Sequence, residues 1–435
     1  MLKSTGSVVT AVLLLLLGFS LPVSAQNGNE QIKDKYSEEI SELAEYPSIQ
    51  NAFDFIEEID QKTTEKLIML TEIPAPPFKE DNRAQKYLEM LRKAGADSVW
   101  MDEEGNVIAR RKGTEGNEIV ALGAHLDTVF PEGTDVTVKT KGDTLFAPGV
   151  GDDTRGLMVV LTVLRALEQE NIQTKDDLLF IGTVGEEGLG DLRGVKHLFS
   201  NQGPGIDSWI AVDGGDVGRI INKGLGSHRY RITYEGPGGH SWGSFGLGNP
   251  AHALGKAMYI FSQEADEFTQ KGPRTSYNVG RIDGGTSVNS IPFEAWMEVD
   301  MRSISNERLQ QIDKIFREAI AKALDEENDM RRRGPELTVD VEMIGDRPSG
   351  EIDPNIPLVQ RAMSTTRFFD SDPTLARSST DSNTPISKNI PSVTIGRGGD
   401  GANSHSLDEW WLNKDGHIAI QRTLLLLVSQ AGLHK

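Results

Sequence analysis

Apolar residues follow two regimes along this chain. Three runs at 119–124, 178–184 and 208–212 are almost unbroken by polar residues, which suits strands buried on both faces. A nearly all-apolar stretch at 157–167 predicts a buried helix between them. Upstream, Phe53, Ile56, Ile59, Leu67, Ile68 and Leu70 keep helical spacing until Pro74-Ala75-Pro76-Pro77 breaks it. Ala84, Tyr87, Leu88 and Leu91 then sit at i, i+3, i+4 and i+7, with Gly95 as a stop. Strands alternating with helices predict an α/β domain with a mixed, mostly parallel sheet flanked by helices.

Beyond Arg219 the pattern changes. Strands are expected at 229–234, 275–282, 295–302 and 337–343, and helices at 250–268 and 306–325. The order β-α-β-β-α-β is that of a ferredoxin-like split unit, so an α+β lid domain inserted at 218–346 is expected. A helix at 357–367, a strand at 392–395 and a closing helix at 415–429 restore the first pattern. The α/β domain thus comes in two parts, 51–217 and 347–435. Residues 26–50 are polar and read as a loosely held leader.

At the start, Lys3, an apolar core at 8–17 and Val23-Ser24-Ala25 have the layout of an export signal over 1–25. An exported protein, periplasmic or secreted, is the expectation, with an uncleaved anchor as the alternative; once processed, no membrane association is expected. With 65 Asp+Glu against 45 Lys+Arg, the net charge of −20 disfavours nucleic acid and anionic lipid as partners. There is no cysteine, so a metal site would have to use His, Asp and Glu.

Such residues recur at the ends of the predicted strands. His125-Leu126-Asp127 follows the first: a His can offer one ring nitrogen to a metal while a carboxylate nearby holds the other. Taken singly it also reads as a capped loop histidine. Asp152-Asp153 follows Gly149-Val150-Gly151 and precedes the buried helix, where an N-cap is the simpler account. Glu186-Glu187 follows the second strand, Asp213 the third, and His405 lies after the strand ending at Ile395. The carboxyl edge of an open α/β sheet is where ligands bind. Oxygen and nitrogen donors gathered there suit a hard-to-borderline divalent ion, and their number suits a pair of ions better than one.

Taken together, His125-x-Asp127, Gly-Asp152-Asp153, Glu186-Glu187, Asp213 and His405 resemble the dizinc exopeptidases and amidohydrolases that include peptidase T, glutamate carboxypeptidase, the aminoacylases and succinyl-diaminopimelate desuccinylase. The resemblance implies two Zn2+ ions bridged by Asp152, with His125 and Asp213 on one, Glu187 and His405 on the other, and Mn2+ or Co2+ as substitutes. It implies Glu186 as general base, Asp127 as the residue orienting His125, and a cis Asp152–Asp153 bond. In the insert, Gly238-Gly239-His240-Ser241 resembles the segment by which dimers of the family send a His to the partner's active site. Asn289 and Arg302 resemble substrate-carboxylate contacts; the plain alternatives are loop packing for His240 and a surface ion pair for Arg302. A homodimer through the insert is the implied assembly, and a short peptide or an N-acyl amino acid the implied substrate. Asp213-Gly214-Gly215 leans toward the peptidase T branch. Arg155 stands near where relatives carry a Lys, and either replaces it or caps a helix.

Rival readings fit less well. Gly239-His240-Ser241-Trp242-Gly243 matches a G-x-S-x-G nucleophile elbow, but the expected helix is delayed to Pro250. Gly396-Arg397-Gly398-Gly399-Asp400-Gly401 fits G-x-G-x-x-G, yet no βαβ unit can follow it. His197, His228, His252, His417 and His434 read as structural or surface residues. A metal-containing binding protein without catalysis remains a separate class, and Glu186, superfluous in a pure metal cage, distinguishes it. The expected activity is hydrolysis of short peptides, with N-acyl-amino-acid hydrolysis as the alternative.

Overall fold

The runs without polar alternation become the centre of one large sheet. In the computed structural model, which describes residues 31–435, Asp177–Thr183, Ile119–His125, Ser208–Val212 and Ser392–Ile395 lie side by side and parallel. Burial on both faces removes any reason for polar alternation, and only Ile119 among their side chains is not fully buried. The helix Thr154–Gln169 covers this sheet. Ser98–Met101 and Val107–Arg111 extend one side; Arg219–Gly224, Thr374–Ser378 and Gly350–Glu351 complete the other. Residues 32–435 hold together as one compact unit. The expected export signal at 1–25 lies outside the described residues, among which no helix is long and apolar enough to cross a membrane.

A second, wholly antiparallel sheet runs in the order Thr275–Gly284, Glu294–Ser303, Gly226–Glu235, Thr338–Arg347. Here burial does alternate, because only one face is covered. Helices Pro250–Thr269 and Asn306–Met330 cover it and share a separate core around Tyr230, Phe261, Met297 and Phe316.

Two expectations from the sequence shift. The chain leaves the large sheet later than 218, since Arg219–Gly224 pairs there before Gly226 begins the insert strand. Only Leu225, between Gly224 and Gly226, separates the two strands. The supposed leader is also structured: Asp34–Ala44 is a helix burying Tyr36, Ile40, Leu43 and Ala44 against Pro357–Phe368. Its apolar stripe is four residues wide in a run of Asp, Glu and Lys, so average polarity concealed it.

Candidate metal centre and active site

Four neighbouring parallel strands end at one edge, and the loops leaving them carry the reactive side chains. His125 is the last residue of its strand, Glu186 and Glu187 follow Thr183, and Asp213 follows Val212. Asp152 precedes the helix Thr154–Gln169, which Asp153 caps by accepting from Gly156 N at 3.2 Å. The Asp152–Asp153 peptide bond is cis. His405 comes from the turn between Asp400–Ala402 and Trp410–Leu412, in a small sheet with Thr144–Phe146 and Lys139–Lys141 that the sequence pattern did not reveal.

The Asp152 carboxylate lies between both imidazoles. Its Oδ1 is 3.1 Å from His125 Nε2 and its Oδ2 3.3 Å from His405 Nε2. Glu187 Oε1 is 2.9 Å from His405 Nε2, and donor atoms of His125, Asp152 and Glu187 lie within 4.8 Å of one another. Asp213 lines the same cleft of about 400 Å³. Burial, and then the charge of Asp152, raise its carboxyl above the usual range.

Electrostatics show what this donor set lacks. Burial opposes the charged form of His125, yet the nearby carboxylates of Asp127 and Asp152 hold the imidazole well above its ordinary value. Asp152 and Glu187 push His405 up to about 10. Carboxylates this concentrated favour positive charge among them. A divalent ion supplies that charge while taking imidazole nitrogens and carboxylate oxygens as ligands, so the donor set fits a divalent metal.

The supporting residues are arranged differently from expectation in one respect. His125 Nδ1 faces the backbone carbonyl of Asp127 at 3.0 Å, while the nearest Asp127 carboxylate oxygen is 3.7 Å away. That carboxylate instead accepts from the backbone of Glu186 at 3.0 Å and Glu187 at 2.7 Å. Glu186 is buried, which pushes its carboxyl well above the ordinary range against the pull of Arg347. Arg347 Nη1 lies 3.1 Å from Glu186 Oε1 and 3.0 Å from Ser379 Oγ, and Nη2 donates to the Glu186 carbonyl.

Sequence reasoning passed over Arg347 and Glu409. Buried Glu409 accepts from the backbone of Gly149 at 2.7 Å and of Gly151 and Asp152 at 2.9 Å each, tying the turn before Asp152 to the segment that bears His405. Its place four residues after His405 was the available signal. Arg302 lines the cleft. His240 and Asn289 do not: both are exposed, His240 on the segment Gly239–His240 and Asn289 just before its partner Ser290–Ile291. Arg155 is buried, donates to the Gly416 carbonyl at 2.8 Å and stacks on Trp411, so it stays out of the cleft.

The family model described as peptidase family M20/M25/M40 matches residues 121–428. The chain is 26% identical over 246 residues to a succinyl-diaminopimelate desuccinylase of Corynebacterium glutamicum, covering 56% of this chain and 66% of that protein. Matches to the curated relatives thus span roughly three fifths of their length. Among solved structures, a tripeptidase of Staphylococcus aureus superposes with a TM-score of 0.67 at 22% identity, over 85% of this chain and 98% of that one. YXEP of Bacillus subtilis, described as a dinuclear metal binding peptidase, superposes with a TM-score of 0.61 at 18% identity, over 86% and 99%. These two likenesses show the fold.

Proposed function

The chain belongs to peptidase family M20/M25/M40, and from that premise we propose that it is a metal-dependent exopeptidase that hydrolyses short peptides. The observation that carries this reading is the single Asp152 carboxylate placed between His125 and His405, with Glu187 beside it. His125, Asp152, Glu187, Asp213 and His405 would hold a pair of divalent ions, zinc by the chemistry of the donors, with manganese or cobalt fitting the same set. When bound, the ions supply Lewis acidity toward a carbonyl and lower the pKa of water. Glu186 acts as general base, taking the proton of the attacking water at its carboxylate and returning it to the leaving amine. Arg347 fixes the Glu186 carboxylate, and Asp127 fixes the backbone that bears it. Arg302 takes a substrate carboxylate.

The likeness to a desuccinylase and to an N-acetylcysteine deacetylase of Bacillus subtilis favours one second reading, hydrolysis of N-acyl amino acids at the same centre. A homodimer through the insert is part of the proposal. It is supported by the unpaired edge of Thr275–Gly284 and by exposed Tyr259 and Ile282, and it would carry His240 and Asn289 toward the partner's cleft. Export is supported by the signal-like layout of residues 1–25.

The test joins metal analysis to a panel of di- and tripeptides, free and N-acylated. Cleavage confined to acylated substrates would replace the first reading with the second. Glu186→Ala should bind metal as the wild type does and lose turnover; peptide hydrolysis persisting in that variant would remove Glu186 as the base.

A further inference from the structure

The chain as a whole is strongly acidic, yet guanidinium groups crowd the cleft that holds the metal-binding carboxylates. Arg219, Arg229, Arg302, Arg347 and Arg397 all line it. Three have carboxylate partners. Arg347 bonds Glu186, and Arg229 and Arg302 share Asp300, at 2.9 and 2.7 Å. Arg219 and Arg397 have none within 4 Å among the described residues; the one bond that either side chain makes is from Arg219 Nη1 to the Gly214 carbonyl, at 3.4 Å.

The unpartnered pair is built into the sheet. Arg397 follows the strand Ser392–Ile395 by two residues, and Arg219 opens the neighbouring antiparallel strand. Gly396 N donates to the Arg219 carbonyl at 3.3 Å, which holds the two backbones together. Both side chains reach over Gly214: a methyl group placed there would lie 3.2 Å from Arg397 Nη1 and 3.8 Å from Arg219 Nη1. Arg397 is only 6% exposed, and its Nε and Nη1 are buried without any hydrogen bond. The carboxylates of Asp152, Asp153, Asp213 and Glu409 surround Arg397 closely enough to feel its charge, yet none bonds it, and buried donors without a hydrogen bond are costly. An anion bonded to both removes the cost, and a carboxylate matches the fork of Arg.

We propose that Arg219 and Arg397 form a carboxylate subsite beside the metal centre, and that the substrates are acidic. This rests on the peptidase reading and narrows it to short peptides with a side-chain carboxylate besides the terminal one, the latter taken at the insert wall by Arg302. Arg219 also lines an adjoining hollow of about 660 Å³, which leaves room for the rest of such a residue. The same chemistry would accept the distal carboxylate of an N-acyl dicarboxylate, and the experiment separates the two sources.

Metal-loaded protein is assayed on Ala-Glu and Glu-Ala against their isosteres Ala-Gln and Gln-Ala, and on N-succinyl-Ala against N-butyryl-Ala. One Glu peptide should exceed its Gln isostere in kcat/KM by roughly 10-fold or more, the scale of a charge-assisted bond. Arg397→Met and Arg219→Met should bring that ratio toward one. A preference confined to the succinyl substrate would assign the subsite to acyl groups and overturn the acidic-peptide proposal. If Glu and Gln peptides are cleaved alike, the subsite is wrong while the peptidase reading stands. If no peptide is cleaved, the peptidase reading fails, and calorimetry with glutarate against butyrate tests the subsite by itself: equal affinities overturn it. Arg397→Lys, which keeps the charge, guards against misfolding of the Met variants. A merely structural Arg397 would lower Glu and Gln peptides together and leave the ratio unmoved.

Discussion

Replacing Asp127 by Asn changes one atom and asks what its carboxylate does. In the fold it is fully buried and accepts two backbone N–H bonds, from Glu186 and Glu187. Each bond to a charged acceptor is worth about 1.5–3 kcal/mol. An Asn side chain can turn its oxygen to one of these donors only. Its own N–H2 then opposes the other, leaving a buried donor unsatisfied, and the surviving bond is weakened by loss of the charge. The expected loss is therefore about 3 kcal/mol, a large part of the ~5–15 kcal/mol by which domains are usually stable. Urea unfolding of metal-free protein at neutral pH measures it without a metal-binding contribution, and an unchanged m value licenses the comparison. Metal-loaded Asp127→Asn should also lose turnover, because Glu186 stands on the loosened backbone. A variant within about 0.5 kcal/mol of the wild type, which is the usual scatter for an uninvolved position, would refute the reasoning. The Asp127 carboxylate would then have to take the place of the Asp127 carbonyl at His125 Nδ1.

Arg347→Met breaks a buried ion pair and leaves Glu186 without a cation, which typically costs about 3–5 kcal/mol; unfolding midpoints and turnover should both fall, and Arg347→Lys should recover only part, since an ammonium cannot span Glu186 and Ser379 together. In the insert, burial alone would raise the Asp313 carboxyl, but bonds from His228, Tyr230 and Arg317 hold it down to about 2. A depressed carboxyl contributes stability above its unfolded value near ~3.9 and loses it as pH falls toward the folded one. Asp313→Asn should flatten acid unfolding between about pH 4 and 2, read by circular dichroism; an unaltered acid limb would count against the pair. A chelator should lower the melting temperature and abolish hydrolysis, and added zinc should restore both, since an ion bound by the folded chain alone stabilises it by mass action.

Much of this molecule can be read before it folds. The central strands betray themselves because burial on both faces forbids polar residues, and the helix at 154–169 because nearly all its sides are covered. The ligand candidates stand out because parallel strands deliver their loops to one edge. His125, Glu186, Glu187 and Asp213 each sit within a few positions of a recognisable strand end. Short or thinly striped elements escaped, as with the helix Asp34–Ala44 and the three-residue strands flanking His405.

What periodicity cannot carry is the meeting of residues from distant parts of the chain. Arg347 reaching Glu186, Glu409 receiving the turn before Asp152, and Arg219 lying next to Arg397 across Gly214 all depend on register and packing between separate elements. A period of two or of 3.6 residues says which way a side chain faces its own element, and nothing about which neighbour stands opposite. The order of residues therefore determined the layers of this protein and the edge where chemistry collects. Tertiary structure alone decided which charges are paired there and which are left for a ligand, because pairing is settled by distances of a few ångströms between atoms that the chain keeps far apart.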